Sequence, residues 1–182
     1  MAITRQIARL MGGDAGVESI SGVGSTFWLT CWLGKGASNA APVDPAPAQS
    51  AEEILRQQSR GARVLLVEDE PINREVTQML LEEAELVVDT AENGRQAIQL
   101  AENNRYALIL MDMQMPELGG VEATQAIRQL PDFATTPILA LTASAFETER
   151  QRALAAGMSD FITKPVKPDN LFQILLKYLG RP

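Results

Sequence analysis

Ala107-Leu108-Ile109-Leu110-Met111-Asp112-Met113-Gln114-Met115-Pro116 is the stretch that decides how this chain folds. Its first five residues are apolar without a break, the pattern of a strand covered on both faces. Asp112 closes the run, and Met113 to Pro116 follow before any helix signal. A capping acid stands directly before its helix. Asp112 does not, so its place at a strand end needs another explanation.

Upstream, Val64-Leu65-Leu66-Val67 repeats the apolar pattern and ends on Glu68-Asp69. Ile72, Val76, Met79 and Leu80 then fall at helical spacing, with Pro71 in the first turn. Leu86-Val87-Val88 reads as a second strand, and Gly94 to Asn103 as a helix with Ala97, Ile98 and Ala101 inward. Downstream, Gly119-Gly120 lead into a helix carrying Ala123, Ile127 and Leu130. Pro137 opens the strand Ile138-Leu139-Ala140-Leu141, which ends in Thr142-Ala143. Phe146 to Ala156 reads as a helix stopped by Gly157. Asp160-Phe161-Ile162-Thr163 is a short fifth strand ending in Lys164-Pro165. Pro168 opens a last helix with Leu171, Ile174, Leu175 and Leu179 on one stripe.

Five strand units alternating with five helical units in about 120 residues predict an α/β fold with a sheet wrapped on both faces. Such sheets are parallel with right-handed crossovers. The expected architecture is flavodoxin-like: a doubly wound five-stranded sheet in the order 2-1-3-4-5, with five helices. Ligands then bind beyond the carboxyl ends of the strands, where the winding direction changes.

The strand ends that border this switch point carry Glu68-Asp69, Asp112, Thr142 and Lys164. Three carboxylates brought together repel one another. A hard divalent cation with oxygen ligands relieves this, and Mg2+ fits best. Lys164 adds a mobile positive charge and Thr142 a hydroxyl donor. A carboxylate can act as nucleophile and form an aspartyl phosphate, while cations neutralise the transferring oxygens. Each residue also has a plainer reading. Asp69 fits a helix cap ahead of Glu70-Pro71, Thr142 a turn residue, Lys164 solvated surface and Phe161 core. The five positions together are more specific than any one.

The 182 residues are 46% hydrophobic and 21% charged, with net charge −7. That balance counts against nucleic acid as a direct partner, which needs clustered Lys and Arg. The chain has no histidine, which removes histidine metal sites and Ser/His/Asp or Cys/His catalysis. Its single cysteine, Cys31, fits a reducing, cytoplasmic setting. No apolar run approaches the roughly 20 residues of a membrane span, so no direct membrane contact is expected. The first residues are not a signal peptide.

Val67-Glu68-Asp69-Glu70-Pro71-Ile72-Asn73, Met111 to Pro116, Ala140-Leu141-Thr142-Ala143 and Phe161-Ile162-Thr163-Lys164-Pro165 closely resemble the receiver domains of two-component response regulators. The resemblance covers residues 62–180, and the Met-Asp-Met-Gln-Met-Pro wording looks most like receivers fused to hybrid sensor histidine kinases. It implies that Asp112 accepts phosphate from a phosphohistidine. It also implies that Glu68 and Asp69 hold Mg2+ (with Mn2+ as an alternative), Asp69 directly and Glu68 through water. The backbone carbonyl of Gln114 completes the set together with Asp112. Thr142 would bind a phosphoryl oxygen and move when phosphate arrives. Lys164 would pair with the phosphate from a cis peptide to Pro165. Phe161 stands where the family often has a rotating aromatic switch. Glu70 replaces an asparagine common in such receivers and reads as an exposed first-turn acid.

Residues 1–36 form a second pattern. Ile3 to Met11 is an amphipathic helix ended by Gly12-Gly13, and Gly16 to Ile20 and Thr26 to Trp32 read as two strands joined by the glycine-rich turn Ser21 to Ser25. This helix and hairpin resemble the last piece of a histidine-kinase ATP-binding domain, over about residues 2–34, with its upstream part absent. The expected organisation is a kinase-domain remnant at 1–36, a Pro/Ala-rich linker at 37–60 and a receiver domain at 61–182. Within the linker, Glu52 to Arg60 reads as a marginal helix. The resemblance implies the tail of a hybrid kinase, whose parent is free to be membrane-anchored. It implies a chain that is not a kinase by itself. The implied partners are a histidine kinase phosphodonor domain and a histidine phosphotransfer domain. A homodimer through the head is left open. Output is expected through protein contacts on the fourth and fifth helix-strand units. Two other functions stay open on the residues alone. One is an aspartyl-phosphate phosphatase or phosphotransferase, which wants an acid where Gln114 stands. The other is a flavodoxin-like binding module, which wants a hydroxyl-rich loop where Glu68-Asp69-Glu70 stands.

Overall fold

A computed structural model describes residues 2–20, 24–32, 49–143 and 147–180. Its contacts divide the chain into two units, Met1–Ala46 and Pro47–Pro182. Half of the expected linker, residues 37–48, lies outside the described residues, as do Ser21 to Val23 of the glycine-rich turn and Phe146.

In the first unit, α1 (Ala2–Leu10) is followed by the antiparallel hairpin β1 (Ala15–Ile20) and β2 (Gly24–Leu29). Gly12 takes a positive φ of 75°, and Gly13 N–H returns to the Ala8 carbonyl, closing the helix. Arg5 reaches the Asp14 carboxylate through two nitrogens, at 2.8 and 3.1 Å. Thr30 to Trp32, expected in the second strand, lie past its end, with Trp32 N–H bonded to the Met11 carbonyl. Among the described residues of this unit, only Ala8 and Ala15 are buried apolar side chains.

The second unit opens with α2 (Ala51–Ser59). It runs on through β3 (Arg63–Val67), α3 (Pro71–Glu83), β4 (Val87–Ala91), α4 (Gly94–Asn103), β5 (Leu108–Asp112) and α5 (Gly120–Arg128). A 3-10 turn (Pro131–Phe133) leads to β6 (Ile138–Thr142), α6 (Glu147–Ala155), β7 (Asp160–Thr163) and α7 (Pro168–Leu179). The sheet is parallel with order β4-β3-β5-β6-β7, the predicted 2-1-3-4-5. Leu65, Ile109, Met111 and Ala140 face one core with Ala97, Ala123 and Ile127. Val64, Leu66, Leu108, Leu110 and Leu139 face the other with Leu81, Leu171 and Leu175. Alternation along one strand thus fills two layers.

Three local expectations are revised. The second strand starts at Val87, not Leu86. It is an edge strand whose Asp89 takes hydrogen bonds from Arg63 and Tyr106, so its polar residues belong in it. Ile72, Val76 and Met79 are 70%, 50% and 56% exposed, because α3 turns Thr77, Leu81 and its C-terminal neighbour Ala84 to the core. The polar stretch before the receiver is a full helix. Ser50 and Glu53 form a capping box, Leu55 is fully buried beside residues of α7, and Arg56 donates to the Glu83 carbonyl at the end of α3.

Candidate functional site

Parallel strands place their carboxyl ends together, and here those ends carry the predicted polar residues. Glu68 follows β3 and is 1% exposed. Asp112 ends β5 and is 4% exposed. Lys164 follows β7, behind a cis peptide to Pro165 as expected. Its Nζ lies 2.7 Å from Asp112 Oδ2 and 2.6 Å from Glu68 Oε2. The other Asp112 oxygen accepts the Gln114 N–H at 3.1 Å. Glu68, Asp69 and Asp112 each offer an oxygen, and these lie within 4.8 Å of one another. Gly120 is required beside them: a Cβ there would stand 2.1 Å from the Asp112 carbonyl oxygen.

Burial pushes the Asp112 carboxyl above the usual range, against the hydrogen bonds from Lys164 and Gln114. Burial also acts to lower the Lys164 ammonium. Its hydrogen bonds to Asp112 and Glu68 outweigh that and hold it above its ordinary value. One ammonium therefore serves two buried carboxylates. Among the described residues, Asp69 has no hydrogen bond or ion pair to its carboxylate. A hard cation with oxygen ligands fits this donor set, since it would meet the negative charge that Lys164 leaves unbalanced.

Thr142 closes β6 at 5% exposure, but its hydroxyl donates to Glu149 Oε2 on α6 at 2.6 Å. Phe161 is half-buried on β7, with the Arg150 guanidinium 5.9 Å from its ring centroid. Glu70 is exposed, as expected, but it stands at the N-cap of α3 rather than in its first turn, and it makes no side-chain cap bond. Sequence reasoning missed Glu149 and Arg150. It also missed Arg74, whose Nη1 donates to the Glu68 and Asp69 carbonyls at 2.8 and 3.2 Å and whose Nη2 reaches Glu92. Arg74 thereby pins the backbone that carries both acids.

Residues 64–176 match the model of the response regulator receiver domain. The sensor histidine kinase AruS of Pseudomonas aeruginosa is 40% identical over 177 residues, covering 96% of this chain and 17% of that protein. The chain spans about a fifth or less of the length of such curated relatives. The receiver domain of another Pseudomonas aeruginosa sensor histidine kinase, crystallised with a magnesium ion in its active-site cleft, superposes with TM-score 0.63 at 40% identity, over 66% of this chain and 99% of that one. The receiver domain of Ssk1 from Saccharomyces cerevisiae, solved with the histidine phosphotransfer protein Ypd1, superposes with TM-score 0.63 at 30% identity, over 66% and 90%. No helix among the described residues is long and apolar enough to cross a membrane. With its sheet order, its acidic strand ends and its bridging lysine, this chain belongs to the response regulator receiver domain family, in the two-component branch where receivers accompany hybrid histidine kinases.

Proposed function

We propose that Asp112 accepts a phosphoryl group from a phosphohistidine and that this receiver relays it to a histidine phosphotransfer domain. A carboxylate oxygen of Asp112 attacks phosphorus, the P–N bond to the donor imidazole breaks, and that nitrogen keeps the bonding pair. The product is an acyl phosphate. The observation that carries this reading is Lys164 Nζ, held between Asp112 and Glu68. There it can follow the charge from the carboxylate to the incoming phosphoryl oxygens. Glu68, Asp69, Asp112 and the Gln114 carbonyl would hold Mg2+, or Mn2+ with the same donors. The bound ion supplies positive charge to the transferring oxygens. Thr142 would donate to one of those oxygens, and Phe161 would follow it as the aromatic partner. Gln114 stands where an aspartyl-phosphate phosphatase needs an acid, which favours the receiver reading over that one.

Ile72, Val76 and Met79 form an exposed stripe, and Val76 lines a pocket with Glu68, Asn73, Lys164 and Pro165. The stripe favours α3 as the surface where the phosphodonor and phosphotransfer domains dock. We read residues 1–36 as the end of a kinase ATP-binding domain. The alignment with AruS, which extends over nearly the whole chain, supports this.

The test is beryllofluoride with Mg2+, or a small phosphodonor, on the wild type and on Asp112→Asn. The wild type should take up the group only with Mg2+, and Asp112→Asn should not. Equal modification of Asp112→Asn would place the acceptor elsewhere.

A further inference from the structure

A threonine hydroxyl has one proton to donate. Thr142 donates its proton to Glu149 Oε2 at 2.6 Å, a short bond to a charged acceptor. The next residue, Arg150, lies with its guanidinium 5.9 Å from the centroid of the Phe161 ring. Both contacts line one small pocket with Met113, Ala140 and Ala153. Two successive residues of α6 therefore hold the two side chains that the switching role requires to move.

We propose that Glu149 is a positioning residue that holds the Thr142 hydroxyl away from the phosphoryl site and so sets how readily the receiver switches. The inference rests on the reading of Asp112 as acceptor. Donation by this hydroxyl is exclusive. An anionic phosphoryl oxygen and the Glu149 carboxylate compete for the same proton, and Thr142 cannot serve both. A ligand shifts an equilibrium only by its differential affinity for the two states. The bond to Glu149 is present in one state and lost in the other, so it subtracts from what the phosphoryl group gains. The pairing of Arg150 with Phe161 lies on the same helix, so a shift of α6 that releases one contact loosens the other.

The experiment measures beryllofluoride affinity in the presence of Mg2+ for the full chain. Glu149→Ala should bind about fivefold to tenfold tighter than wild type, the worth of one charge-assisted hydrogen bond offset by rehydration. Glu149→Gln keeps the shape and an acceptor but loses the charge, and it should gain less. In a Thr142→Val background, Glu149→Ala should change affinity by less than about twofold, because the coupling has no partner. A merely structural role for Glu149 would alter affinity equally in both backgrounds. Wild-type affinity in both Glu149 variants, or an undiminished gain beside Thr142→Val, overturns the proposal. If the wild type binds no beryllofluoride, or Asp112→Asn binds it equally, the acceptor reading itself fails and the latch falls with it.

Discussion

The two units of this chain carry equally clear local structure and very different interiors. In Pro47–Pro182, β3, β5 and β6 are buried almost throughout, and apolar side chains fill both faces of the sheet. In the first unit the helix has a glycine stop, the hairpin has a regular register and Arg5 grips Asp14. Yet Phe27, Leu10 and Trp32 are 69%, 83% and 84% exposed. Each large apolar side chain left in water forgoes about 1.5–3 kcal/mol of burial. Hydrogen bonds and turn chemistry shape a segment, but they do not hold it against conformational entropy without a core. The described head residues thus have turns, a register and an ion pair without an interior of their own.

Exchange and unfolding measurements put this contrast at risk. The largest difference should appear in amide exchange, where Leu108 to Met111 should be protected at least about a thousandfold more than Phe27 to Leu29. Equal protection in a verified monomer would erase the distinction. Next, Leu110→Ala should lower the stability of the receiver by about 2–5 kcal/mol in urea unfolding, since the side chain is fully buried. Leu55→Ala should cost about 2–3 kcal/mol in the same transition if α2 is part of the receiver core, although composition assigned it to the linker. A loss below about 0.5 kcal/mol would return α2 to the linker. Smallest of all, Phe27→Ala should leave the receiver transition within about 0.5 kcal/mol of wild type.

How much was legible follows from which residues carry a periodic signal. Val64 to Val67, Leu108 to Met111 and Ile138 to Leu141 are unbroken apolar runs, so the central strands could be read directly and with them the positions of Asp112 and Thr142, while the strand order was taken as a common one for five such strands. Spacing did not say which stripe of α3 faces the sheet, because Ile72, Val76 and Met79 repeat as a core stripe would while Thr77 and Leu81 are the buried ones. A single buried leucine, Leu55, makes no pattern, so α2 looked marginal. Glu149 and Arg74 were invisible for a different reason. Their partners are a hydroxyl and backbone carbonyls five to seven residues away across a strand-to-helix connection, and no residue-type pattern marks such a contact.

The Lys164 to Glu68 contact spans 96 positions of sequence, and the Lys164 to Asp112 contact spans 52. The chain must close those long loops, and align parallel strands β3, β5, β6 and β7, before the ammonium meets either carboxylate. A partly folded receiver, or one interrupted during synthesis before residue 164, has Asp112 and Glu68 without the ammonium between them. On the reading of Asp112 as acceptor, competence to take a phosphoryl group thus waits on the pairing of β7, which brings Lys164 to the site.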